Sequence, residues 1–274
     1  MPELPEVETM VRDLQARIPG HVIVGAEISW DRIVGHPDSA SMLRGVVDRR
    51  IESVERRGKF ALLQLDGNKI LGIHRGMTGS VLLRKSGSPE DRFVRARFML
   101  DDGTEMRLDD SRKFGRLFLV GSQANGYKPP WDRLGVEPLS KLFTINALAH
   151  GLAGRRAAIK TVLLNQRVIA GIGNIYADES LFAARILPTR PAMSLSRGEV
   201  AKLRRAIVAT LNSAIEERGT TFSTYRDVDG TSGDNQQKLM VFHRHGQRCP
   251  RCGKPIERIV LGARGTHFCP RCQR

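Results

Sequence analysis

The stretch CPRCGKPIERIVLGARGTHFCPRC, residues 249–272, holds all four cysteines of the 274-residue chain. Cys249 and Cys252 form one Cys-Pro-Arg-Cys pair, Cys269 and Cys272 form the other, and sixteen residues separate the pairs. This spacing is typical of a structural zinc site, because each short turn places two thiolates on one tetrahedral ion. Redox or disulfide pairs are the alternative, which a reducing compartment disfavours. We therefore predict one structural Zn²⁺ on a C-terminal β-hairpin.

The hairpin is strongly basic. Residues 245–274 carry seven Arg or Lys side chains against one acid, Glu257. The sequence Gly262-Ala263-Arg264-Gly265 lies midway between the cysteine pairs, where the hairpin must turn, so Arg264 is expected at its tip. On a hairpin this basic, such an arginine is expected to contact phosphate or a DNA groove; an arginine of a solvated turn is the alternative.

The whole chain carries a formal net charge of +15, which points to a polyanionic partner. Nucleic acid fits better than a membrane surface, because no long basic amphipathic helix, lipidation motif or apolar run of about 18 residues is visible. The acidic start MPELPEVETM also differs from a signal peptide. We expect a cytoplasmic bacterial protein, associated with the nucleoid through DNA.

The periodicity changes along the chain. Apolar residues recur at helical spacing from Pro5 to Ile18, and residues 22–120 are mostly strand-like, with a hairpin turn at Asp101–Thr104. Helical patterns follow after about residue 140, where Asn174 is a candidate cap and Ser196 with Glu199 forms a capping box. The fold class predicted is α+β, with a β-rich half, a helical half and a zinc appendage.

Two further features call for an explanation. Pro2 and Glu3 precede the first helix, and helix-start chemistry does not account for them. The glycine-containing turn Leu164–Asn174 joins two helices, and such turns can present backbone N–H groups to phosphate. The basic run Arg56–Lys59 could do the same, although a short basic run is more often a solvated face.

Several motifs in order resemble bacterial formamidopyrimidine-DNA glycosylase: PELPEVE, RRGKF, HRGMTG, DDSRKFG, LGVEPLS, GIGNIYADE and CPRC…RGTHFCPRC. The resemblance runs in register from Pro2 to Arg274. It implies an N-terminal β-sandwich with flanking helices and a C-terminal helix–two-turn–helix domain with a zinc finger. The expected boundaries are 2–133 for the catalytic domain, 134–152 for a linker, 153–237 for the helix–two-turn–helix domain and 238–274 for the zinc finger.

The resemblance implies a bifunctional DNA glycosylase and abasic-site lyase that excises 8-oxoguanine and formamidopyrimidines. The nucleophile would be the α-amine of Pro2 after loss of Met1, giving a Schiff base and then β,δ-elimination. An α-amine suits this role because its ordinary pKa, near 7.7–8.0, lies far below that of lysine. Glu3 would be the acid/base partner, Glu6 a second carboxylate of the site and Lys59 a contact to the lesion's phosphate.

The resemblance also assigns DNA contacts. Met77 and Phe114 would fill the gap left by the extruded nucleotide, and Arg112 would pair with the orphaned cytosine; from the residues alone, Met77 and Phe114 read as core. Further backbone or lesion contacts would be His74, Lys160, Asn174 and Arg264; alone, His74 reads as core and Lys160 as helix surface. The lesion-covering loop would include Thr220, Thr221, Ser223, Thr224 and Tyr225.

Two residues depart from the family pattern. Phe242 stands where a phosphate-contacting tyrosine is common, and Arg75 stands in place of a leucine. The partner expected is duplex DNA containing oxidised purines, bound by a monomer. Two alternatives stay open: an endonuclease VIII-like enzyme for oxidised pyrimidines, and a non-catalytic zinc protein that binds DNA.

Overall fold

The computed structural model describes residues 2–121 and 126–274. Contacts divide the chain into two compact units, which are described separately below. The first comprises Met1–Asp132 with Glu217–Asp234, and the second comprises Arg133–Glu216 with Asn235–Arg274. Residues 217–234, late in the chain, therefore pack within the N-terminal unit. Within the described residues, none of the helices combines the length and apolar character needed to cross a membrane.

The first unit is built from strands with two helices. The helices are α1 (Leu4–Gln15) and α2 (Ser39–Val46). The strands are β1 (Val22–Ile28), β2 (Val34–His36), β3 (Arg49–Arg57), β4 (Phe60–Leu65), β5 (Lys69–His74), β6 (Ser80–Lys85), β7 (Val94–Leu100), β8 (Thr104–Asp109) and β9 (Arg116–Gly121). The predicted hairpin turn at Asp101–Thr104 is confirmed, because β7 and β8 pair antiparallel across it.

The strands of the described residues follow the order β2-β9-β5-β4-β3-β1-β7-β8-β6 in one hydrogen-bonded sheet. β3 joins its two halves, since Arg49 and Arg50 pair with β1 whereas Ile51 onward pairs with β4. Inward side chains of both halves, such as Leu63 and Phe98, share one buried cluster. This shared core confirms the predicted β-sandwich, whose two layers are connected through β3.

Helix α1 adds Val7, Val11 and Leu14 to that core, as its periodicity predicts. Its limits differ slightly from the prediction: it begins at Leu4 and ends at Gln15. The end comes before Ile18 because the N–H groups of Arg17 and Ile18 both donate to the Leu14 carbonyl, which closes the helix. Ile18 is nevertheless buried, so its apolar side chain still packs in the core.

The second unit is helical and ends in a hairpin. Its elements are α3 (Ile145–Leu152), α4 (Ile159–Leu163), α5 (Asn174–Ala184), α6 (Arg197–Glu216), β10 (Glu257–Leu261) and β11 (Arg264–Phe268). The capping box before α6 is confirmed, because Ser196 and Glu199 each accept a hydrogen bond from the other's backbone N–H. The cap predicted for α5 is wrong: Gly173 is the N-cap and Asn174 is the first helical residue.

The hairpin turns through two residues. Gly262 and Ala263 both have positive φ, at 53° and 60°, and Leu261 pairs directly with Arg264. Two consecutive positive φ values are typical of the tight turn that matches the twist of antiparallel strands. Arg264 is exposed at the start of β11, which places it beside the turn as predicted.

Candidate functional site

The N-terminal residues are held inside the first unit. Pro2 is buried, and Glu3 and Glu6 are each 2% exposed. Glu6 accepts from the backbone N–H of Glu3 through Oε2 and from that of Thr220 through Oε1, both at 2.8 Å. The bond to Glu3 is half of a capping box, because Glu3 is the N-cap of α1 and its side chain accepts from the Glu6 N–H, so helix-start chemistry does account for Glu3. The bond to Thr220 ties this helix start to residue 220. Pro2 directly precedes Glu3, the N-cap of α1; Met1 lies outside the described residues.

Thr220 belongs to the loop spanning residues 218–226, called here the 218–226 loop. Gly219 has a φ of +84°, and a Cβ placed on it would lie 2.9 Å from Glu6 Cγ, so the site requires glycine. The Thr221 hydroxyl accepts from the Gly233 N–H at 3.0 Å, while Ser223 and Thr224 are exposed. Ser223 and Thr224 thus expose hydroxyl groups in the middle of the loop, whereas hydrogen bonds hold Thr220 and Thr221 near its start.

Tyr225 differs from its expected place among lesion-facing residues. Its ring is buried, and its hydroxyl donates to the Arg218 carbonyl at 3.0 Å. Burial raises the pKa of the phenol, which keeps the hydroxyl a hydrogen-bond donor. The Tyr225 side chain therefore connects the two ends of the 218–226 loop and stabilises its conformation.

Ion pairs fasten the same segment to α1 and the turn after it. Arg218 Nη2 lies 2.6 Å from an Asp13 carboxylate oxygen and 2.7 Å from one of Asp227. Beyond the loop, both terminal nitrogens of Arg17 donate to the Asp229 carboxylate. These contacts hold the segment at both ends, so the position of the loop depends on α1.

The turn between β3 and β4 carries Lys59, which is 8% exposed. The next residue, Phe60, begins β4 and pairs with His74 of β5. The ring centroids of Phe60 and His74 are 4.8 Å apart, so His74 lies near Lys59. Burial lowers the pKa of His74 to about 4, and the charges of Lys59 and Arg116 add to the effect. His74 is therefore neutral at pH 7. Its Nδ1 accepts a hydrogen bond from the backbone N–H of Gly76, with 3.2 Å between the two nitrogens.

The neighbouring Arg56 does not belong to a phosphate-contacting run. Its side chain is 8% exposed, and Nε lies 2.7 Å from Glu8 Oε2. The alternating directions of side chains along β3 turn Arg56 toward α1. Arg56 therefore does not contribute to a continuous basic surface with Lys59.

Met77, Arg112 and Phe114 lie on two adjoining turns of the first unit. Phe114 is 46% exposed, so its reading as a core residue is wrong, and the Arg112 guanidinium lies 4.9 Å from its ring centroid. The turns touch closely, because a Cβ on Gly76 would meet the Phe114 carbonyl carbon at 2.4 Å. An exposed aromatic ring beside an arginine is suited to entering a base stack.

Asp110 holds these turns together. It is fully buried, and its carboxylate accepts from the N–H groups of Arg112 and Gly115 and from the Thr78 hydroxyl. The carboxylate therefore replaces the missing backbone partners of a tight turn. It fixes the loop that carries Arg112 and Phe114 beside the turn that carries Met77.

In the second unit, Lys160 occupies a different position from the one expected of a DNA contact. Its side chain is fully buried, with Nζ 2.7 Å from Asp178 Oδ1 and 2.8 Å from the Gly265 carbonyl oxygen. An ammonium enclosed in this way cannot reach a phosphate. Because Asp178 also accepts from the His267 N–H at 2.8 Å, the pair joins α4, α5 and β11.

Asn174 and Arg264 lie close to that ion pair. Asn174 Nδ2 donates to the same Gly265 carbonyl at 3.0 Å, one residue after the exposed Arg264. Asn174 is also the first residue of α5, where the positive end of the helix dipole lies. A helix N-terminus next to a hairpin turn bearing an arginine is suited to phosphate.

The four cysteines form one cluster. Their sulfur atoms all lie within 4.8 Å of one another; Cys249 and Cys272 are 3.9 Å apart, and Cys252 and Cys269 are 3.5 Å apart. Tetrahedral zinc with Zn–S bonds of about 2.3 Å needs sulfurs ~3.8 Å apart. Disulfide bonds of about 2.0 Å are excluded. The predicted single structural zinc site is therefore confirmed, with the four thiolates as its ligands.

Comparison with known proteins agrees with this geometry. Residues 1–117 match the formamidopyrimidine-DNA glycosylase N-terminal domain, residues 134–226 match the H2TH domain of the same enzymes, and residues 246–274 match the zinc finger found in FPG and IleRS. The chain belongs to the formamidopyrimidine-DNA glycosylase family. The formamidopyrimidine-DNA glycosylase of Symbiobacterium thermophilum is 48% identical over all of this chain and 89% of its own length. That of Herpetosiphon aurantiacus is 44% identical over the full length of both.

Solved structures of the family superpose closely. The MutM (FPG) protein of Thermus thermophilus is 41% identical, with a TM-score of 0.89 over 99% of this chain and 98% of that one. A Lactococcus lactis FPG mutant in complex with Fapy-dG-containing DNA gives a TM-score of 0.91 at 31% identity, over the full length of both chains. A complex of Lactococcus lactis Fpg with abasic-site DNA gives 0.90 at 31% identity, over 99% of each chain.

Several residues that shape the site were not identified from the sequence. Asp110 and Asp178 are buried carboxylates that position the residues expected to touch DNA. Glu179 is a third: it accepts from the N–H groups of residues 240, 241 and 242, and burial raises its pKa. Phe242 is itself buried, with its ring stacked on His243. In the sequence, Asp110, Asp178 and Glu179 are visible only as acidic residues within family motifs. That position does not show whether a carboxylate is buried and holds a backbone segment or lies at the surface.

Proposed function

We propose that this protein excises oxidised purines from duplex DNA and then cleaves the strand at the abasic site. The observation that carries the proposal is the buried Pro2–Glu3 pair at the start of α1, with Glu6 bridging Glu3 and Thr220. Nothing in the folding of α1 requires a carboxylate bridge to a residue 214 positions away. The full-length relatives named formamidopyrimidine-DNA glycosylase support the substrate class.

The chemistry follows from a secondary amine at the chain terminus. Pro2 nitrogen attacks C1′ of the damaged nucleotide, the bond from C1′ to the base breaks, and the base leaves with a proton. The C1′–O4′ bond then opens, O4′ takes up a proton, and the C1′–N bond becomes an iminium ion. This cation accepts the electron pair left when the C2′ proton is removed, which expels the 3′-phosphate. A second elimination expels the 5′-phosphate, and water hydrolyses the imine.

Named residues divide these steps. Glu3 is proposed to protonate O4′ and move the C2′ proton, since it adjoins the amine in sequence and is buried. Lys59 is proposed to hold the phosphate that leaves, and Glu6 to hold Glu3 and the 218–226 loop in register. Met77, Phe114 and Arg112 are proposed to fill the stack, with Arg112 facing cytosine. Asn174 and Arg264 are proposed as phosphate contacts.

The zinc ion has a structural part in this proposal. The cysteine cluster and the small core around it, with Phe182, Val241 and Ile256, hold the hairpin that carries Arg264. We also propose the domain boundaries expected from the sequence: the catalytic domain at 2–133, the linker at 134–152, the helix–two-turn–helix domain at 153–237 and the zinc finger at 238–274.

The protein is proposed to be a monomer in the bacterial cytoplasm, where it associates with the nucleoid through DNA. The high basic charge supports the DNA association.

Borohydride trapping tests the proposal. The wild-type protein should form a covalent adduct with abasic-site DNA, because borohydride reduces an imine to a stable amine. Pro2→Gly, and a form that keeps Met1, should lose most of this adduct. Pro19→Ala, which changes a proline after α1, should keep it. Absence of an adduct in the wild-type protein would refute the enzyme and favour a non-catalytic DNA-binding protein.

Lesion choice needs a second measurement. Single-turnover release of 8-oxoguanine opposite cytosine, compared with thymine glycol, separates a purine from a pyrimidine enzyme. We expect 8-oxoguanine release, reduced when adenine stands opposite, because Arg112 is proposed to face cytosine. Release of thymine glycol alone would favour the endonuclease VIII-like alternative.

A further inference from the structure

Arg75 is a buried cation in the first unit, at the end of β5. It is 1% exposed, and each guanidinium nitrogen has a partner. Nε donates to the Gly79 carbonyl at 2.8 Å, Nη1 to the Glu6 carbonyl at 3.3 Å, and Nη2 to the Arg226 carbonyl at 3.1 Å. Nη2 also lies 3.3 Å from Ser80 Oγ. The guanidinium carbon is 4.9 Å from the Tyr225 ring centroid, a cation–π contact.

These partners come from three segments. Glu6 lies in the first turn of α1, Gly79 and Ser80 follow the turn that carries Met77, and Tyr225 with Arg226 ends the 218–226 loop. Glu6 is thereby connected to both ends of that loop, directly at one end and through Arg75 at the other. Its carboxylate accepts from Thr220 at the beginning, and its carbonyl shares Arg75 with Arg226 at the end.

Such a side chain is costly for the fold. Burial lowers the pKa of Arg75, and its nearest charged or titratable neighbours are Tyr225, Glu6 and Asp227. No carboxylate oxygen forms a direct ion pair with it among the described residues; its direct contacts are backbone carbonyls, the Ser80 hydroxyl and the Tyr225 ring. An apolar residue would fill the space without removing a charge from water. The benefit of arginine here is geometric, because its planar fork fixes several acceptors at once.

We propose that Arg75 is a positioning residue that sets the 218–226 loop for recognition of the damaged base. This rests on the function proposed above. The loop matters while a base has to be held for excision, whereas an abasic site has no base to hold. Loss of Arg75 should therefore slow base release and leave strand cleavage at a preformed abasic site largely intact.

The test compares two reactions in the same variants. Arg75→Met keeps the length and apolar stem but removes the fork, and Arg75→Lys keeps the charge. The matched control is Arg92→Met, which changes an exposed arginine that stacks on Phe93. Single-turnover rates are measured for release of 8-oxoguanine and for cleavage of abasic-site DNA.

Arg75→Met should slow base release on the order of 100-fold, the effect of displacing a binding group by about 1 Å. Abasic-site cleavage should change less than about threefold, and Arg75→Lys should recover part of the base release. Hydrogen exchange of residues 221–226 should be faster in Arg75→Met than in the wild-type protein or Arg92→Met.

Equal loss of both reactions in a folded Arg75→Met would overturn the proposal, since it would show a general effect through Glu6. Unchanged base release would overturn it as well. If Arg75→Met does not fold, Tyr225→Leu decides, because it keeps the cation and removes the aromatic face; the same selective loss is expected, and its absence refutes the proposal. Failure of the wild-type protein to form the borohydride adduct would instead refute the underlying function.

Discussion

Gly219→Ala is expected to weaken the connection between α1 and the 218–226 loop. The residue has a φ of +84°, and an added Cβ would lie 2.9 Å from Glu6 Cγ and 3.0 Å from Glu6 Oε1. Alanine in a left-handed conformation costs roughly 1–2 kcal/mol by itself. Displacing the Glu6 carboxylate also weakens its hydrogen bonds to Glu3 and Thr220, and a hydrogen bond to a charged group contributes about 1.5–3 kcal/mol.

Gly87→Ala is the matched control. Gly87 has a similar φ of +79°, and an added Cβ there meets nothing within 4 Å. The two variants share the backbone cost, so their difference measures the contact with Glu6. We expect Gly219→Ala to lower the free energy of unfolding by about 2 kcal/mol more than Gly87→Ala, from loss of part of the hydrogen bonding of Glu6.

Chemical denaturation gives the unfolding free energies, and borohydride trapping on abasic-site DNA reports the position of the amine. Gly219→Ala should form the adduct more slowly than Gly87→Ala, because Glu6 holds the backbone of Glu3 next to Pro2. Equal destabilisation together with equal trapping rates would refute the inference that Glu6 connects the chain start to residue 220.

Four further predictions concern other parts of the molecule. Chelating the zinc should unfold the hairpin and abolish DNA binding, with one zinc per chain released in a metal assay. His74 titrates at about 4 in the folded state, below its ordinary 6.5, so the unfolded state takes up the proton first and stability is lost as pH falls between these values. His74 should contribute about 3 kcal/mol to the loss of stability between pH 7 and pH 4, so His74→Gln should lose about that much less over the same interval when both proteins are unfolded with denaturant. Arg264→Ala should flatten the log–log salt dependence of DNA binding by about one unit without changing the melting temperature. Lys160→Met, which removes the cation paired with the buried Asp178, should instead lower stability by about 3–5 kcal/mol.

Local patterns predicted much of the architecture. The buried face of α1, the capping box at Ser196, the β7–β8 turn and the zinc cysteines were identified because each depends on residues near one another in the sequence. The roles expected for Pro2, Glu3 and Glu6 came from resemblance, and burial of all three is compatible with them. The experiments above test those roles.

Taken without the family resemblance, spacing misplaces some residues, because it does not show which way a side chain points. Lys160 reads as a surface lysine from its helix, yet it is fully buried against Asp178. Phe114 reads as core, yet it is exposed beside Arg112. The partner of Lys160, Asp178, lies on another helix, and the sequence carries no local signal for that contact.

The sequence by itself determined the family, the helix and strand pattern and the zinc ligands, because those depend on residue type and short-range spacing. Glu3 is held locally, as the N-cap of α1 in a capping box with Glu6. Only the tertiary structure decided which distant residues complete the site. Glu6 reaches Thr220 across 214 positions, and Arg75 reaches Arg226 across 151. Such contacts depend on how the segment 217–234 packs on α1 and β5, and burial away from water makes each polar group require a partner.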